Sequence, residues 1–171
     1  MALAVSLIFD DDIDKAVRQI WQMLAAEGVC DVMQGLGYPP HVSLLVSDDD
    51  AIEADLRSMM AALSQIRAMD LMLGPVRHFP DTSIVWLNCD GGAALMDLHR
   101  HLADRAPAGA IRPHYQPGQW TPHVTLQMTG DRVRGEALAS SAWSLPRRGR
   151  AVRLELARFM PVVPLAGIAL S

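Results

Sequence analysis

Two short stretches of this 171-residue chain carry side chains whose types and spacing suit proton transfer, Pro39-Pro40-His41-Val42-Ser43-Leu44 and Thr121-Pro122-His123-Val124-Thr125-Leu126. Each reads proline, histidine, valine, hydroxyl, leucine. Side chains alternate between the two faces of a β-strand, so His41 and Ser43 share one face while Val42 and Leu44 share the other. The same alternation sets His123 and Thr125 against Val124 and Leu126. Each stretch therefore offers one imidazole and one hydroxyl from a strand whose reverse side is fit for burial. A single His-x-Ser or His-x-Thr is commonly structural. Two copies with matching flanks, 82 residues apart and close to half the chain, point to an internal duplication that brings the two strands together.

Histidine ordinarily titrates near pH 6.5 and exchanges protons near neutrality. Two imidazoles on opposite sides of one phosphorus could serve as a pair, one taking a proton from the attacking oxygen and one protonating the departing oxygen. Ser43 and Thr125, one strand repeat further on, could donate to nonbridging phosphate oxygens. They are poor candidates for nucleophiles, because no repeated carboxylate completes a Ser-His-Asp set. A zinc site would need third and fourth ligands that no spacing supplies. The Asp48-Asp49-Asp50 cluster lacks a ligand frame and reads as a helix cap.

The two His-x-(Ser/Thr)-hydrophobic motifs resemble those of the two-histidine (2H) phosphoesterases, the superfamily that includes bacterial 2′-5′ RNA ligase-like proteins and cyclic nucleotide phosphodiesterases. The likeness extends to the order of hydrophobic segments along nearly the whole chain and to Trp120-Thr121-Pro122-His123-Val124-Thr125-Leu126, which looks like the second family motif. What it implies is a metal-independent phosphodiesterase acting on 2′,3′-cyclic phosphate or 2′,5′-linked nucleotide and RNA ends, with reversible 2′-5′ joining as a further activity. His41 and His123 would be catalytic, Ser43 and Thr125 would bind substrate, and neither metal nor cofactor is expected. The rival reading is a noncatalytic RNA- or nucleotide-binding module with the same cleft. Asn or Gln would serve that purpose as well as the intact histidines.

The elements that must position these residues follow from periodicity. Residues 2–9 form a continuous apolar run, read as a buried strand and not a signal peptide, since it lacks a basic start and meets Asp10-Asp11-Asp12 at once. Asp11 or Asp12 would cap a helix carrying Ile13, Val17, Ile20 and Leu24, which Gly28 would stop. The first motif strand (41–46) leads into a helix opened by Ser47 and Asp48 to Asp50, with Ile52, Leu56, Met59, Met60 and Leu63 inward. Two strands, 69–77 and 83–89, flank a turn at Phe79-Pro80-Asp81. Leu95, Leu98 and Leu102 mark a third helix, with His99 and His101 expected on its exposed side. A Pro- and Gly-punctuated loop (105–119), containing His114 and Tyr115, precedes the second motif strand at 120–128; such loops often contact substrate. A helix near 132–141, an Arg147-Arg148-Arg150 run read as a loop, and strands at 150–160 and 162–170 complete the chain.

Strand, helix, motif strand, helix, strand thus occurs twice. The expected fold is α+β with two pseudo-symmetric lobes, each a small, largely antiparallel sheet with helices outside, facing across a central cleft. Residues 1–171 would form one two-lobed domain, the first half about 1–80 and the second about 81–171. Half the residues are hydrophobic, enough for a real core. Net charge is −4, with −9 in residues 1–90 and +5 in residues 91–171. An acidic total argues against wrapping long nucleic acid, although the basic second half could draw a small phosphate ester toward one wall of a cleft; the resemblance implies RNA ends or small nucleotide phosphodiesters as partners. No run is long enough to span a membrane. Cys30 and Cys89 form no CxxC pair, which with the rest suggests a cytoplasmic monomer. Tyr38, Phe79, Tyr115 and Trp120 are the candidates for stacking on a base.

Overall fold

The computed structural model describes residues 1–63 and 65–171. It contains seven strands, β1 (Ala2–Phe9), β2 (His41–Ser47), β3 (Met69–His78), β4 (Val85–Asp90), β5 (His123–Gln127), β6 (Arg147–Phe159) and β7 (Val163–Ala169). The α-helices are α1 (Asp11–Ala26), α2 (Val32–Gly35), α3 (Glu53–Ala61), α4 (Gly92–Ala103) and α5 (Arg132–Ala142). Every strand pairing is antiparallel. The strand order is β2-β1-β6-β3-β4-β5, with β7 added to β6.

That order is a palindrome of roles. Each half of the chain builds a first strand, a helix, a motif strand, a helix and a third strand, β1-α1-β2-α3-β3 and then β4-α4-β5-α5-β6. The motif strand pairs with the first strand of its own half, β2 with β1 and β5 with β4. The third strands are exchanged: β3 pairs with β4, and β6 pairs with β1. One lobe is thus β2-β1-β6 and the other β3-β4-β5. The 13-residue β6 joins them, pairing with β3 through Arg147–Ala151 and with β1 through Ala151–Phe159. The α+β, two-lobed architecture is the one expected, and the curled sheet carries the motif strands at its two ends. The curl brings those ends, β2 and β5, into contact.

One face of the sheet is apolar. On β1, Leu3, Val5, Leu7 and Phe9 are at most 4% exposed and pack under the helices. Burying one such side chain stabilises the fold by about 1.5–3 kcal/mol. Helix α1 supplies Ile13, Val17, Ile20, Trp21 and Leu24 to this core. Its cap is Asp10, not Asp11 or Asp12: the Asp10 carboxylate accepts from Ile13 N–H (3.0 Å) and also from Arg150 N–H (2.7 Å). The cap is therefore fixed by a strand 140 residues away, a partner that sequence proximity does not reveal. Gly28, at φ 67°, ends the helix as expected, with its N–H donating to the Ala25 carbonyl.

Three local expectations are corrected. Arg147 and Arg148 are not in a loop; they begin β6, ahead of the strand expected from Arg150, because β3 offers Leu73 and Met72 as their partners. His99 is not on the exposed side of α4 but 2% exposed, its ring stacked on Trp120 with centroids 4.0 Å apart. The second motif strand begins at His123, three residues later than expected: Pro122 before it has no N–H to give to the ladder and Trp120 stacks on His99.

Candidate active site

Both motif strands show the same burial alternation, half-buried His and hydroxyl against buried Val and Leu. Each histidine follows a proline. The residue before a proline is pushed toward extended backbone, and here its carbonyl meets the ring two residues later. The Nδ1–H of His41 donates to the Pro39 carbonyl at 2.8 Å, and the Nδ1–H of His123 donates to the Thr121 carbonyl at 2.7 Å. A carbonyl can only accept, so both neutral rings carry their proton on Nδ1 and leave Nε2 as the free base.

Aromatic walls enclose both rings. Tyr38 lies edge-on to His41 at 4.9 Å, with Phe159 behind it at 6.4 Å. Phe79 and Trp86 stand edge-on to His123 at 5.1 and 5.7 Å. These walls take much of each ring out of water, and burial is the main cause that lowers both pKa values. His41 is pushed down to about 4; the Pro39 carbonyl opposes the shift, and charge on His123 adds to it. His123 is lowered by burial and by the neighbouring His114, against the Thr121 carbonyl.

The backbone of each hydroxyl-bearing residue is tied to the other half of the chain. Trp120, just ahead of the second motif, donates its indole N–H to the Ser43 carbonyl at 3.0 Å. Trp21, from the first half, does the same for the Thr125 carbonyl at 3.1 Å. Ser43 Oγ lies 3.4 Å from Ser6 Oγ and faces the Tyr115 phenol.

His123 and Thr125 line a cavity of about 390 Å³ together with Phe79, Arg112, His114 and Tyr115. His41 and Ser43 are not among the lining residues; Ser43, on β2, is linked to the lining through Trp120 and Tyr115. Of the four aromatic residues considered for stacking, Tyr38 is 1% exposed and has no open face. Trp120 and Tyr115 are buried wall residues, whereas Phe79 is half-exposed at the cavity. Arg112, Thr82, Gln119 and Met128 also line it. Sequence reading did not single these out; only the loop character of 105–119 hinted at Arg112. Among the described residues no group of three or more His, Cys, Asp or Glu side chains is placed to hold a metal ion. No helix among them is long and apolar enough to cross a membrane.

The family model of the 2′-5′ RNA ligase superfamily matches residues 9–159 of this chain. Among solved structures, a protein of Thermus thermophilus superposes with a TM-score of 0.65 at 13% identity, covering 99% of this chain and 98% of its own. E. coli LigT without ligand gives 0.61 at 19% identity, with 100% and 99% covered. Its complex with 3′-AMP gives 0.64 at 17% identity, with 99% and 97% covered. LigT has also been solved with ATP, NADP+ and phosphate. At these identities the likeness is one of fold. No curated protein sequence matches the chain.

Proposed function

Because the chain belongs to the 2′-5′ RNA ligase superfamily, we propose that it is a metal-independent phosphodiesterase opening 2′,3′-cyclic phosphate or cleaving 2′,5′-linked nucleotide and RNA ends. The observation that carries this reading is the twice-built Xaa-Pro-His device. In each copy a carbonyl two residues back holds Nδ1–H and leaves Nε2 to exchange a proton. One Nε2 takes a proton from water as its oxygen bonds to phosphorus. The other imidazole, protonated, gives its proton to the ribose oxygen as the P–O bond to that oxygen breaks. The Ser43 and Thr125 hydroxyls donate to the nonbridging oxygens, where charge is held in the transition state. With a 5′-hydroxyl in place of water, the same steps join it to a 2′,3′-cyclic end: its oxygen bonds to phosphorus as the P–O bond to the 3′-oxygen breaks and that oxygen is protonated, leaving a 2′-5′ linkage.

Burial supports the scheme by keeping both rings neutral at pH 7, so that either can begin as the base. Binding an anionic phosphate restores a proton to its partner by favouring the charged ring. The two cysteines are free and buried, in keeping with a reducing compartment, and the proposal places the enzyme in the cytoplasm as a monomer. The test is turnover of nucleoside 2′,3′-cyclic phosphates and of 2′,5′- and 3′,5′-linked dinucleotides beside His41→Ala and His123→Ala. Each variant is expected to lose about 10²–10⁴-fold in kcat, the usual contribution of a positioned acid or base. Nucleotide binding with no turnover in the unaltered protein would instead favour a noncatalytic binding module.

A further inference from the structure

The cavity holding His123 and Thr125 is larger than one phosphate requires, and its ionisable lining is one-sided. Among the described residues no Asp or Glu lines it; its basic members are His123, His114 and Arg112. His114 and Arg112 come from the loop between α4 and β5, and that loop is fastened to the far end of the first motif strand. Arg112 N–H donates to the Val46 carbonyl at 2.9 Å, and Ile111 bridges to Ser47. The turn Pro113–Tyr115 then sets the exposed His114 beside the buried Tyr115, with ring centroids 4.6 Å apart.

Arg112 is braced for a ligand. Its Nε and Nη2 engage the two Asp48 oxygens at 2.9 and 2.6 Å, a bidentate pair that fixes the plane of the guanidinium. Nη1 makes no hydrogen bond among the described residues. The pair is solvent-exposed, so Asp48 orients the arginine while high-dielectric screening leaves its field on the cavity weak. A braced guanidinium with two free N–H groups, sharing a lining with an imidazole and with neutral donors Gln119 and Thr82, suits the tetrahedral oxygens of a phosphate monoester.

We infer that Arg112 and His114 form a second phosphate subsite, so that the favoured substrate is a nucleotide bearing another phosphate besides the diester at His123 and Thr125. The assignment rests on the phosphodiesterase reading for its catalytic meaning, but binding tests it without turnover. Calorimetric titration of adenosine 3′,5′-bisphosphate is expected to give a Kd about tenfold or more below that for adenosine 3′-monophosphate, the usual effect of one added charge-assisted contact. In His114→Ala and Arg112→Gln the ratio is expected to fall below about threefold; the exposed His114 can be removed without disturbing the core. Equal affinities in the unaltered protein, or a preference that survives both variants, would overturn the subsite. Parallel assays on adenosine 2′,3′-cyclic phosphate with and without a 5′-phosphate separate the two readings. Turnover of both at equal kcat/KM overturns the subsite and keeps the phosphodiesterase. Preference in binding with turnover of neither does the reverse.

Discussion

Acidification is expected to destabilise this protein through His41, and the size of the effect follows from its surroundings. Tyr38 and Phe159 bury the ring and push its pKa from 6.5 to about 4. The folded state thus binds this proton less tightly than the unfolded chain does, and lowering the pH favours unfolding. Stability due to the neutral ring is fully present above about pH 6.5 and is lost as the pH falls through about 4. At about 1.4 kcal/mol per pKa unit the loss by pH 4 is roughly 3 kcal/mol. His99 and His123 are also lowered by burial and act in the same direction. The measurement is therefore a difference. Urea unfolding of the native protein and of His41→Gln at pH 7 and pH 4 should show the variant losing about 3 kcal/mol less over that span. NMR titration of the His41 ring should show its midpoint far below 6.5. Parallel losses in the two proteins, or a ring titrating at about 6.5 or above, would refute the argument from burial. Adding a phosphate ester should move the midpoint upward, since an adjacent anion favours the imidazolium.

Other consequences are measurable separately. Dialysis against EDTA is expected to leave turnover unchanged; a loss restored by zinc would count against paired-imidazole catalysis. Trp120→Phe keeps the stack on His99 but removes the N–H that serves the Ser43 carbonyl, and should cost about 1–3 kcal/mol in chemical denaturation. Gly130→Ala is expected to cost more than about 2 kcal/mol, because the residue sits at φ 94° and a Cβ would lie 2.0 Å from the Val29 carbonyl oxygen. A thermal shift within a degree of the native protein would contradict that geometry. Asp10→Ala removes both the cap of α1 and the acceptor for Arg150 N–H, and a loss of about 1–3 kcal/mol in urea unfolding is expected.

The chain's periodicities were sufficient for the order of most elements and for naming the candidate residues, though not for every strand boundary. Alternation told which side of residues 41–44 and 123–126 carries the imidazole and hydroxyl, and helical spacing placed Ile13, Val17, Ile20 and Leu24 in the core. These are local signals, set by the pleat of a strand or the turn of a helix, and they survive in one dimension. Pairing is not local. Nothing in the spacing says that β3 and β6 trade lobes, because the same apolar strand satisfies its backbone against either neighbour and only the closed sheet selects one. Tertiary structure alone decided that His99 is a stacking partner of Trp120 and not a surface residue. It decided likewise that Arg112, one of fifteen basic residues in the sequence, is braced by Asp48 against the cavity of His123. A side chain's charge is written in the sequence; what it faces depends on the path of the whole chain around it.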